Sequence, residues 1–382
     1  MRQSINLCSV IYWARHRSHR AKSIRQPPHL FLSTSDPPTA SCNNISQSGR
    51  SRIGTCLGVR VAATGSYVPP NVVTNEDLES LGCDSEWIIQ RTGIRERRKA
   101  SDDQATSDLA LEASLRCLDA AGVDPKDVDL VVCATMTPDH ITPSTACIVQ
   151  QRLGCIAPAF DIGAACAGFM YGFITGSQYI RSGMARNALI IGSEVMTRTV
   201  DYNDKKTYPL FGDGAGAVLL QPSDPNENNP KGMLSFTLGS EGDLNVLCVP
   251  GGGSREPLTA AKLAESRQYL KMDGRAVFKW AVRIVEDSTN DVLAAAHVNA
   301  SDVDLAIFHQ ANVRIIDAAS DQFAIPRDRV FVNLDKYGNT SAASIPLALD
   351  DANQRGLIQR GNLVLLCGFG AGLSWGTTLL RW

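Results

Sequence analysis

Apolar positions along the chain change their spacing repeatedly, from that of a strand to that of a helix and back. DLVVCAT at 129–135 is a continuous apolar run with polar residues around it, as in a buried strand. Residues 107–121 before it place apolar side chains at helical spacing, and GVRVAATGSYVPP from Gly58 reads as a strand entering a Gly/Pro turn. The alternation continues to the C-terminus and predicts an α/β fold with a mostly internal sheet.

Part of this pattern occurs twice. AGVDPKDVDLVV at 121–132 recurs as AHVNASDVDLAI at 296–307, and both copies follow a long helical segment and open a strand. The same offset, carried forward, pairs Cys166 with Ser341, at points where a strand gives way to a new helix. Two helix N-termini would then begin near the centre of the molecule, where their partial positive charge favours anions.

The duplication divides the chain into parts. We expect an N-terminal half at 58–225 and a C-terminal half at 232–382, joined by the Pro- and Asn-rich segment PSDPNENNPK. Residues 1–57 precede the first predicted strand, so they are expected to lie outside the fold as a disordered or targeting extension.

The beginning of the chain is basic. Residues 1–35 contain no Asp or Glu but several Arg, and Ser, Asn and Pro dominate the residues that follow. A transit peptide for a plastid or another organelle, a disordered tail and an over-long start all fit this composition. Because the segment has no clear cleavage site, a cytoplasmic location is expected, with an organelle as the alternative.

The composition limits the classes of protein to which the chain can belong. The 382 residues are 44% hydrophobic and 20% charged, which suits a soluble globular protein with one large core or two moderate ones. A net charge of −2 gives no reason to expect nucleic acid as a partner, and no apolar run is long enough to span a membrane. The eleven cysteines form no CxxC pair, so we expect neither a metal site nor a disulfide framework.

One cysteine lies where a nucleophile is expected. In APAFDIGAACAGFMYGFITGSQYI an apolar strand leads through small residues into a helix that begins near Cys166. A helix N-terminus favours a thiolate, and the small neighbours let a substrate approach the sulfur. Packing alone would also explain a cysteine among alanines, so a catalytic role needs partners.

The candidate partners are few. Of the histidines beyond the N-terminal extension, His140 lies in a Thr/Pro-rich loop and His297 at a helix end, whereas His309 follows the buried strand DLAIF directly. The carboxyl ends of strands are where α/β folds place their sites.

Asn339 in KYGNTSAAS offers amide donors but no base, which suits an enolate or oxyanion. The turn in LVLLCGFGAGLSWG could supply backbone N–H groups for an oxyanion hole.

Together these segments resemble the β-ketoacyl-acyl-carrier-protein synthase III family. The resemblance spans 58–382 and rests on DSEWIIQRTGIRER, FDIGAACAGF, FGDGAGAVLL, HQANVRI and GNTSAAS, in the family's order. It implies a thiolase-like fold of five α-β-α-β-α layers, a homodimer, and a Cys166–His309–Asn339 triad. It further implies that the backbone N–H of Ala371 contributes to the oxyanion hole. No metal or cofactor is implied, since CoA thioesters and the carrier's phosphopantetheine are substrates.

The resemblance also implies a CoA site. Trp87 and Arg91 would hold the adenine and the phosphates, for which an indole face and a guanidinium are chemically apt. Asn312 and Lys205 would make further contacts with CoA. Lys205 stands where the family often has Arg, and a point charge in place of a planar fork would retune CoA binding.

Carrier-protein and acyl contacts are implied as well. Lys279 and Arg314 would meet the acidic acyl carrier protein, and Phe278 and Phe369 would line the acyl pocket. Thr142 stands where some members place a bulky aromatic residue that crosses the dimer interface to close the pocket floor. A small residue there predicts primers longer than acetyl.

The implied reaction is the initiating condensation of type II fatty acid synthesis. An acyl-CoA would acylate Cys166, and malonyl-acyl-carrier protein would then lose CO2 and attack that thioester to give a 3-oxoacyl product. An acyltransferase of specialised metabolism, with another CoA ester and acceptor, is the alternative. A biosynthetic thiolase would carry a late histidine, yet none follows His309. A Cys–His–Asn hydrolase would use a similar trio but release no CO2.

Overall fold

The computed structural model describes residues 45–226 and 228–382, so the predictions for residues 1–44 lie outside the described part. The described residues form fourteen strands: β1 (Arg52–Leu57), β2 (Val59–Tyr67), β3 (Val72–Thr74), β4 (Glu96–Arg98), β5 (Leu130–Ala134), β6 (Ala159–Ile162), β7 (Ala188–Val195), β8 (Asp213–Pro222), β9 (Gly232–Ser240), β10 (Leu247–Cys248), β11 (Lys271–Met272), β12 (Leu305–Phe308), β13 (Leu363–Gly370) and β14 (Ser374–Arg381). They also form nine α-helices: α1 (Ser85–Thr92), α2 (Thr106–Ala121), α3 (Thr145–Leu153), α4 (Gly168–Arg181), α5 (Ala260–Ala264), α6 (Gly274–Ala296), α7 (Val313–Phe323), α8 (Leu334–Tyr337) and α9 (Ser344–Gln354).

Two five-stranded sheets organise the chain. The first has the order β2-β8-β7-β5-β6 and the second β1-β9-β14-β13-β12. In each sheet a parallel pair, β5 with β7 or β12 with β13, is continued by antiparallel neighbours. The sheets are therefore mixed, and each draws its strands from one predicted half, with β1 as the exception.

Helices cover both sheets and separate them. Helices α2 and α3 pack on the first sheet, α6 packs on the second with α7 against it, and α4 and α9 contact strands of both. The resulting order is helix, sheet, helix, sheet, helix, and it confirms the five-layered α/β thiolase-like fold. No helix of the described residues is both long and apolar enough to cross a membrane.

The burial of β5 explains why its sequence is apolar throughout. Val131 and Cys133 belong to the core under α2 and α3, whereas Leu130 and Val132 belong to the central core with α4 and α9. Successive side chains of a strand point to opposite faces, so a strand covered on both faces reads as a continuous apolar run.

The boundary predicted at residue 57 is wrong. Strand β1 at 52–57 pairs antiparallel with β9 and extends the second sheet, so the fold begins before Gly58. The preceding loop is also attached, because the Trp375 indole N–H donates to the Ser51 hydroxyl at 2.9 Å. The apolar pattern missed β1 because its residues at this sheet edge are mostly only half-buried.

The pairing of Cys166 with Ser341 is wrong by one residue. Short 3-10 turns, Ala165–Ala167 and Ser341–Ala343, precede α4 and α9. These turns lie one residue further apart in sequence than β5 and β12 do. Both turns open on a non-glycine residue in the left-handed region, Ala165 at φ 45° and Ser341 at φ 49°. Ser341 therefore corresponds to Ala165, and Cys166 corresponds to Ala342.

Candidate active site

A largely apolar cavity opens between the turns that precede the two central helices. Many of its lining residues are those that the sequence singled out: Cys166, Phe278, His309, Asn312, Asn339, Phe369 and Ala371. The structure thus brings the predicted triad, the predicted oxyanion turn and two predicted acyl-pocket residues to one place. Their roles are not decided by proximity alone and stay predictions here.

Cys166 lies in the turn that leads into α4, as its sequence predicted, and only 7% of its surface is exposed. The last residue of β13 packs directly against it. A Cβ atom on Gly370 would fall 2.7 Å from the Cβ of Cys166, closer than side chains pack, so this position requires glycine. That contact fixes the Gly-rich turn beside the sulfur.

The protonation states of the site follow from burial. Burial raises the pKa of Cys166 to about 12, a hydrogen bond with Ser341 opposes the rise, and the charge of Glu194 adds to it. Burial likewise lowers the pKa of His309 to about 3. Burial therefore outweighs the helix-end effect expected from the sequence. Near pH 7 both groups are neutral, so the thiol loses its proton only as it reacts.

His309 directly follows β12 and is held on two sides. Its backbone N–H donates to the Cys367 carbonyl at 2.8 Å. Its ring Nδ1 lies 2.6 Å from the Ser344 hydroxyl, and the ring meets the Phe369 ring edge-on, with centroids 5.2 Å apart. With Nδ1 engaged by Ser344, Nε2 is the ring nitrogen left for a substrate.

Asn339 is held through its backbone and its side chain. Its N–H donates to the Leu210 carbonyl at 2.8 Å, and its carbonyl accepts from the Gly212 N–H at 3.1 Å. The side-chain Oδ1 accepts from the Ser341 N–H at 2.8 Å. Because a backbone N–H can only donate, this contact identifies the oxygen of the amide and leaves the Nδ2 group as the donor.

The turn after β13 is tied to the turn that carries the cysteine. The Ser374 hydroxyl lies 2.9 Å from the Ala371 carbonyl and 3.1 Å from the Ala164 carbonyl, so it bridges the two segments. The Ala371 N–H makes no hydrogen bond to another group of the described residues. It is therefore free to donate to a substrate oxygen.

Three of the predicted CoA-binding residues, Trp87, Arg91 and Asn312, gather where α1 meets α7, and Asn312 also lines the cavity. Trp87 is 44% exposed, and the Arg91 guanidinium lies 5.7 Å from the centre of its ring. Asn312 Nδ2 donates to the Arg91 carbonyl at 3.1 Å, and the Arg314 guanidinium donates to the Gln90 carbonyl at 2.9 Å. These bonds attach the end of α1 to the start of α7 beside the cavity.

Lys205, Lys279 and Thr142, like Trp87, Arg91 and Arg314, are exposed and do not line the cavity. Lys205 lies against the end of the 3-10 turn Glu76–Leu81, with its Nζ close to Gly82. Lys279 follows Phe278 on the first turns of α6. The role predicted for Thr142 concerns the acyl pocket of a partner subunit and stays a prediction.

Sequence reasoning missed other parts of the site. The cavity wall includes Leu247 and Met272, from the short β10–β11 hairpin, and nearby Leu270 and Val277. This hairpin is too short for a periodic signal. Ser344, the partner of His309, stands in GNTSAAS, but the motif alone did not indicate which residue it contacts.

The five-layered fold places the chain in the thiolase-like class, and its apolar cavity contains a buried thiol, a neutral imidazole and an oriented amide donor. Two family models match the chain: "3-Oxoacyl-[acyl-carrier-protein (ACP)] synthase III" at residues 160–242 and its "C terminal" model at residues 293–382. The β-ketoacyl-[acyl-carrier-protein] synthase III of Rhodopirellula baltica is 57% identical over 345 residues, covering 86% of this chain and 100% of that protein.

Solved structures agree with this assignment. The 3-oxoacyl-[acyl-carrier-protein] synthase III of Aquifex aeolicus is 43% identical, with a TM-score of 0.77 over 85% of this chain and 100% of that one. The enzyme from Pseudomonas aeruginosa is 41% identical, with a TM-score of 0.78 over 85% and 98%. The chain belongs to the β-ketoacyl-acyl-carrier-protein synthase III family. It is therefore an acyltransferase that performs the initiating condensation of fatty acid synthesis.

Proposed function

We propose that the chain condenses an acyl-CoA primer with malonyl-acyl-carrier protein, through a thioester on Cys166, and releases CoA and CO2. The observation that carries this proposal is the meeting of Cys166, His309 and Asn339 in one apolar cavity. CoA and the phosphopantetheine of the carrier protein enter as substrates, and the reaction needs no bound cofactor.

In the first half-reaction Cys166 Sγ attacks the thioester carbonyl of the primer. His309 Nε2 takes the thiol proton as the new C–S bond forms, and it then gives that proton to the departing CoA sulfur. The carbonyl oxygen, negatively charged in the tetrahedral intermediate, accepts from the N–H groups of Cys166 and Ala371. The close contact of Gly370 with Cys166 supports this pairing of donors.

In the second half-reaction the malonyl carboxylate leaves as CO2, and its C–C bonding electrons form an enolate. Nε2–H of His309 and Nδ2 of Asn339 donate to the enolate oxygen. The carbanion then attacks the acyl carbonyl, Sγ departs from the tetrahedral intermediate as a thiolate, and that thiolate takes a proton from solvent. The bond that fixes Asn339 Oδ1 supports this role, because it leaves Nδ2 as the donor.

His309 Nε2 has opposite roles in the two half-reactions: it accepts a proton in the first and donates a hydrogen bond in the second. The Ser344 hydroxyl supports both, since a hydroxyl can donate to Nδ1 or accept from it. Rotation of one hydroxyl thus accompanies the change of tautomer.

CoA binding is proposed at the α1–α7 junction, with the adenine on Trp87, the phosphates near Arg91 and Lys205, and the pantetheine arm passing Asn312. Arg314 and Lys279 are proposed to receive the carrier protein. The exposed indole and its neighbouring guanidinium support the first assignment. Trp87→Ala should raise KM for the CoA primer without changing KM for malonyl-carrier protein.

We propose primers longer than acetyl. Phe278 and Phe369 line the cavity, and Thr142 has a small side chain where a partner's pocket would be closed by an aromatic residue. Thr142→Phe should shift the preferred primer to a shorter chain. An unchanged chain-length profile in this variant would refute the assignment.

A homodimer is proposed through the free edge of β6. This strand ends the first sheet with half-buried side chains, and such an edge pairs readily with another strand. Ile141 and Ile156, which precede and follow α3, are 97% and 99% exposed in the single chain. Light scattering should give twice the chain mass, and Ile156→Asp should lower it.

A cytoplasmic location is proposed for the protein, with an organelle as the alternative. The similarity to bacterial synthases supports the first location, and the basic, acid-poor composition of the N-terminal segment supports the second. Residues 1–57 fused to a fluorescent protein should leave it in the cytoplasm, whereas import into an organelle would identify a transit peptide.

The reaction is tested with malonyl-carrier protein and acyl-CoA primers from two to twelve carbons, beside a Cys166→Ala control. Condensation with a chain-length maximum, lost in the control, is the expected result. Acylation of Cys166 without condensation for any primer would refute malonyl-carrier protein as the second substrate.

A further inference from the structure

Glu194 is a completely buried carboxyl group that the proposed reaction does not use. It lies near the carboxyl end of β7, is 0% exposed, and carries no salt bridge to any cation of the described residues. Hydrogen-bond donors surround it instead. Oε2 accepts from the Thr135 and Thr137 hydroxyls and from the Met136 and Thr137 N–H groups, at 2.7–3.1 Å. Such convergence of donors matches an acceptor-only carboxylate.

Oε1 faces the turn before α9. It accepts from the Ser341 hydroxyl at 2.9 Å and from the Ala342 N–H at 3.4 Å. Ser341 has φ 49°, a left-handed conformation that is strained for a residue with a side chain. The turn also rests on β7 itself, because a Cβ on Gly192 would fall 2.3 Å from the Ala342 carbonyl oxygen. Glu194 therefore holds a strained turn against a central strand.

The same turn orients Asn339. Ser341 donates its hydroxyl to Glu194 and its N–H to Asn339 Oδ1, so one residue connects the buried carboxyl group to the amide. The other oxygen of Glu194 binds the segment that contains Met136, which lines the cavity. One carboxyl group thus fixes the Asn339 turn relative to the cavity wall.

We propose that Glu194 is a positioning residue for the decarboxylating half-reaction, acting through Ser341 to keep the Asn339 amide aimed as a donor at the enolate. This rests on the role of Asn339 in the proposed function. The negative charge of Glu194 does not assist the first half-reaction, since a negative group near Cys166 raises the pKa of the thiol and disfavours the thiolate. The two half-reactions should therefore respond differently when Glu194 is changed.

Glu194→Gln is the informative variant. Its amide oxygen can still accept from the donors around Oε2. Its NH2 group, however, faces the Ala342 N–H, and two donors cannot bond each other. We expect acylation of Cys166 by an acyl-CoA, followed by intact mass, to stay within about threefold of the parent. Release of CO2 from malonyl-carrier protein by the isolated acyl-enzyme should fall by about 10- to 100-fold, as for one lost hydrogen bond to a charged group.

Ser341→Ala is the second variant, because it removes the hydroxyl that reaches Glu194 and keeps the same Cβ. It should show the same loss of CO2 release, together with slower acylation, because that hydroxyl also bonds the Cys166 thiol. The double variant with Glu194→Gln should lose less CO2 release than the two single effects combined, since both break one connection. Far-UV circular dichroism and the melting temperature establish that each variant folds.

Asn339→Ala separates the two proposals. If it leaves CO2 release intact, the role proposed for Asn339 fails. If Asn339→Ala abolishes CO2 release while the folded Glu194→Gln and Ser341→Ala variants leave CO2 release intact, or if Glu194→Gln slows acylation as much as CO2 release, the positioning role of Glu194 is overturned.

Discussion

Removal of the Ser344 hydroxyl tests whether His309 serves both half-reactions. The hydroxyl lies 2.6 Å from Nδ1, and His309 is only 2% exposed, so Ser344→Ala leaves a buried ring nitrogen without its partner. An unsatisfied buried polar group costs about 1–3 kcal/mol, which corresponds to about 5- to 150-fold if the cost falls on the transition state. We expect a loss of that size in kcat for condensation.

The assay separates the half-reactions. Ser344→Ala should slow both acylation of Cys166 and CO2 release, because His309 Nε2 takes part in each; Glu194→Gln should slow only the second. The matched control is Ser114→Ala on α2, which removes a buried hydroxyl bonded to the Ala110 carbonyl at 2.6 Å, in the outer helical layer. The control should lose some stability but no activity. Unchanged acylation in folded Ser344→Ala would refute the reasoning.

Three further outcomes follow from burial at the site and at the N-terminal strand. Because burial raises the pKa of Cys166 to about 12, its alkylation by iodoacetamide, followed by peptide mass, should rise about tenfold per pH unit from pH 6 to 9; a plateau near pH 7 would contradict this. Because burial lowers the pKa of His309 from 6.5 to about 3, the unfolded state binds the proton more tightly. Stability is therefore fully present above pH 6.5 and falls as pH drops towards 3. At pH 5 the free energy of unfolding, measured with urea, should be about 2 kcal/mol lower than it is above pH 6.5, and the His309→Gln variant should not show this decrease. Ser51→Ala leaves the Trp375 indole N–H unpaired and should cost about 1–3 kcal/mol of unfolding free energy, whereas Ser48→Ala, at a partly exposed hydroxyl, should cost less; equal losses would refute the anchoring role of Ser51.

The sequence predicted those parts of the site that carry a local signal. His309 directly follows the buried apolar strand β12, and Cys166 lies where β6 leads through small residues into α4, so each reactive side chain is conspicuous against its surroundings. Asn339 was found through its own motif of small residues. The five-layered fold came from the family resemblance, whereas the α/β class followed from the alternation of apolar spacing.

The rest depends on contacts between segments that are distant in sequence. Glu194 reads as an ordinary acid at the end of a strand, and only the fold surrounds it with N–H and hydroxyl groups from residues 135–137 and 341–342. Strand β1 was missed because its pairing with β9 joins residues far apart in the chain. No local pattern records such pairings, since each depends on how the two sheets are assembled.

The two central turns show how one backbone design serves two tasks. Each opens on a left-handed residue, continues as a 3-10 turn and leads into a helix between the sheets. In the first turn the residue after the strained Ala165 is Cys166, the proposed nucleophile. In the second the strained residue is Ser341, whose N–H and hydroxyl connect Asn339 to Glu194. In the proposed reaction the first turn presents the sulfur that reacts, and the second turn fixes the amide that donates to the enolate. A buried carboxyl group that anchors the second turn therefore fits the proposed task of that turn.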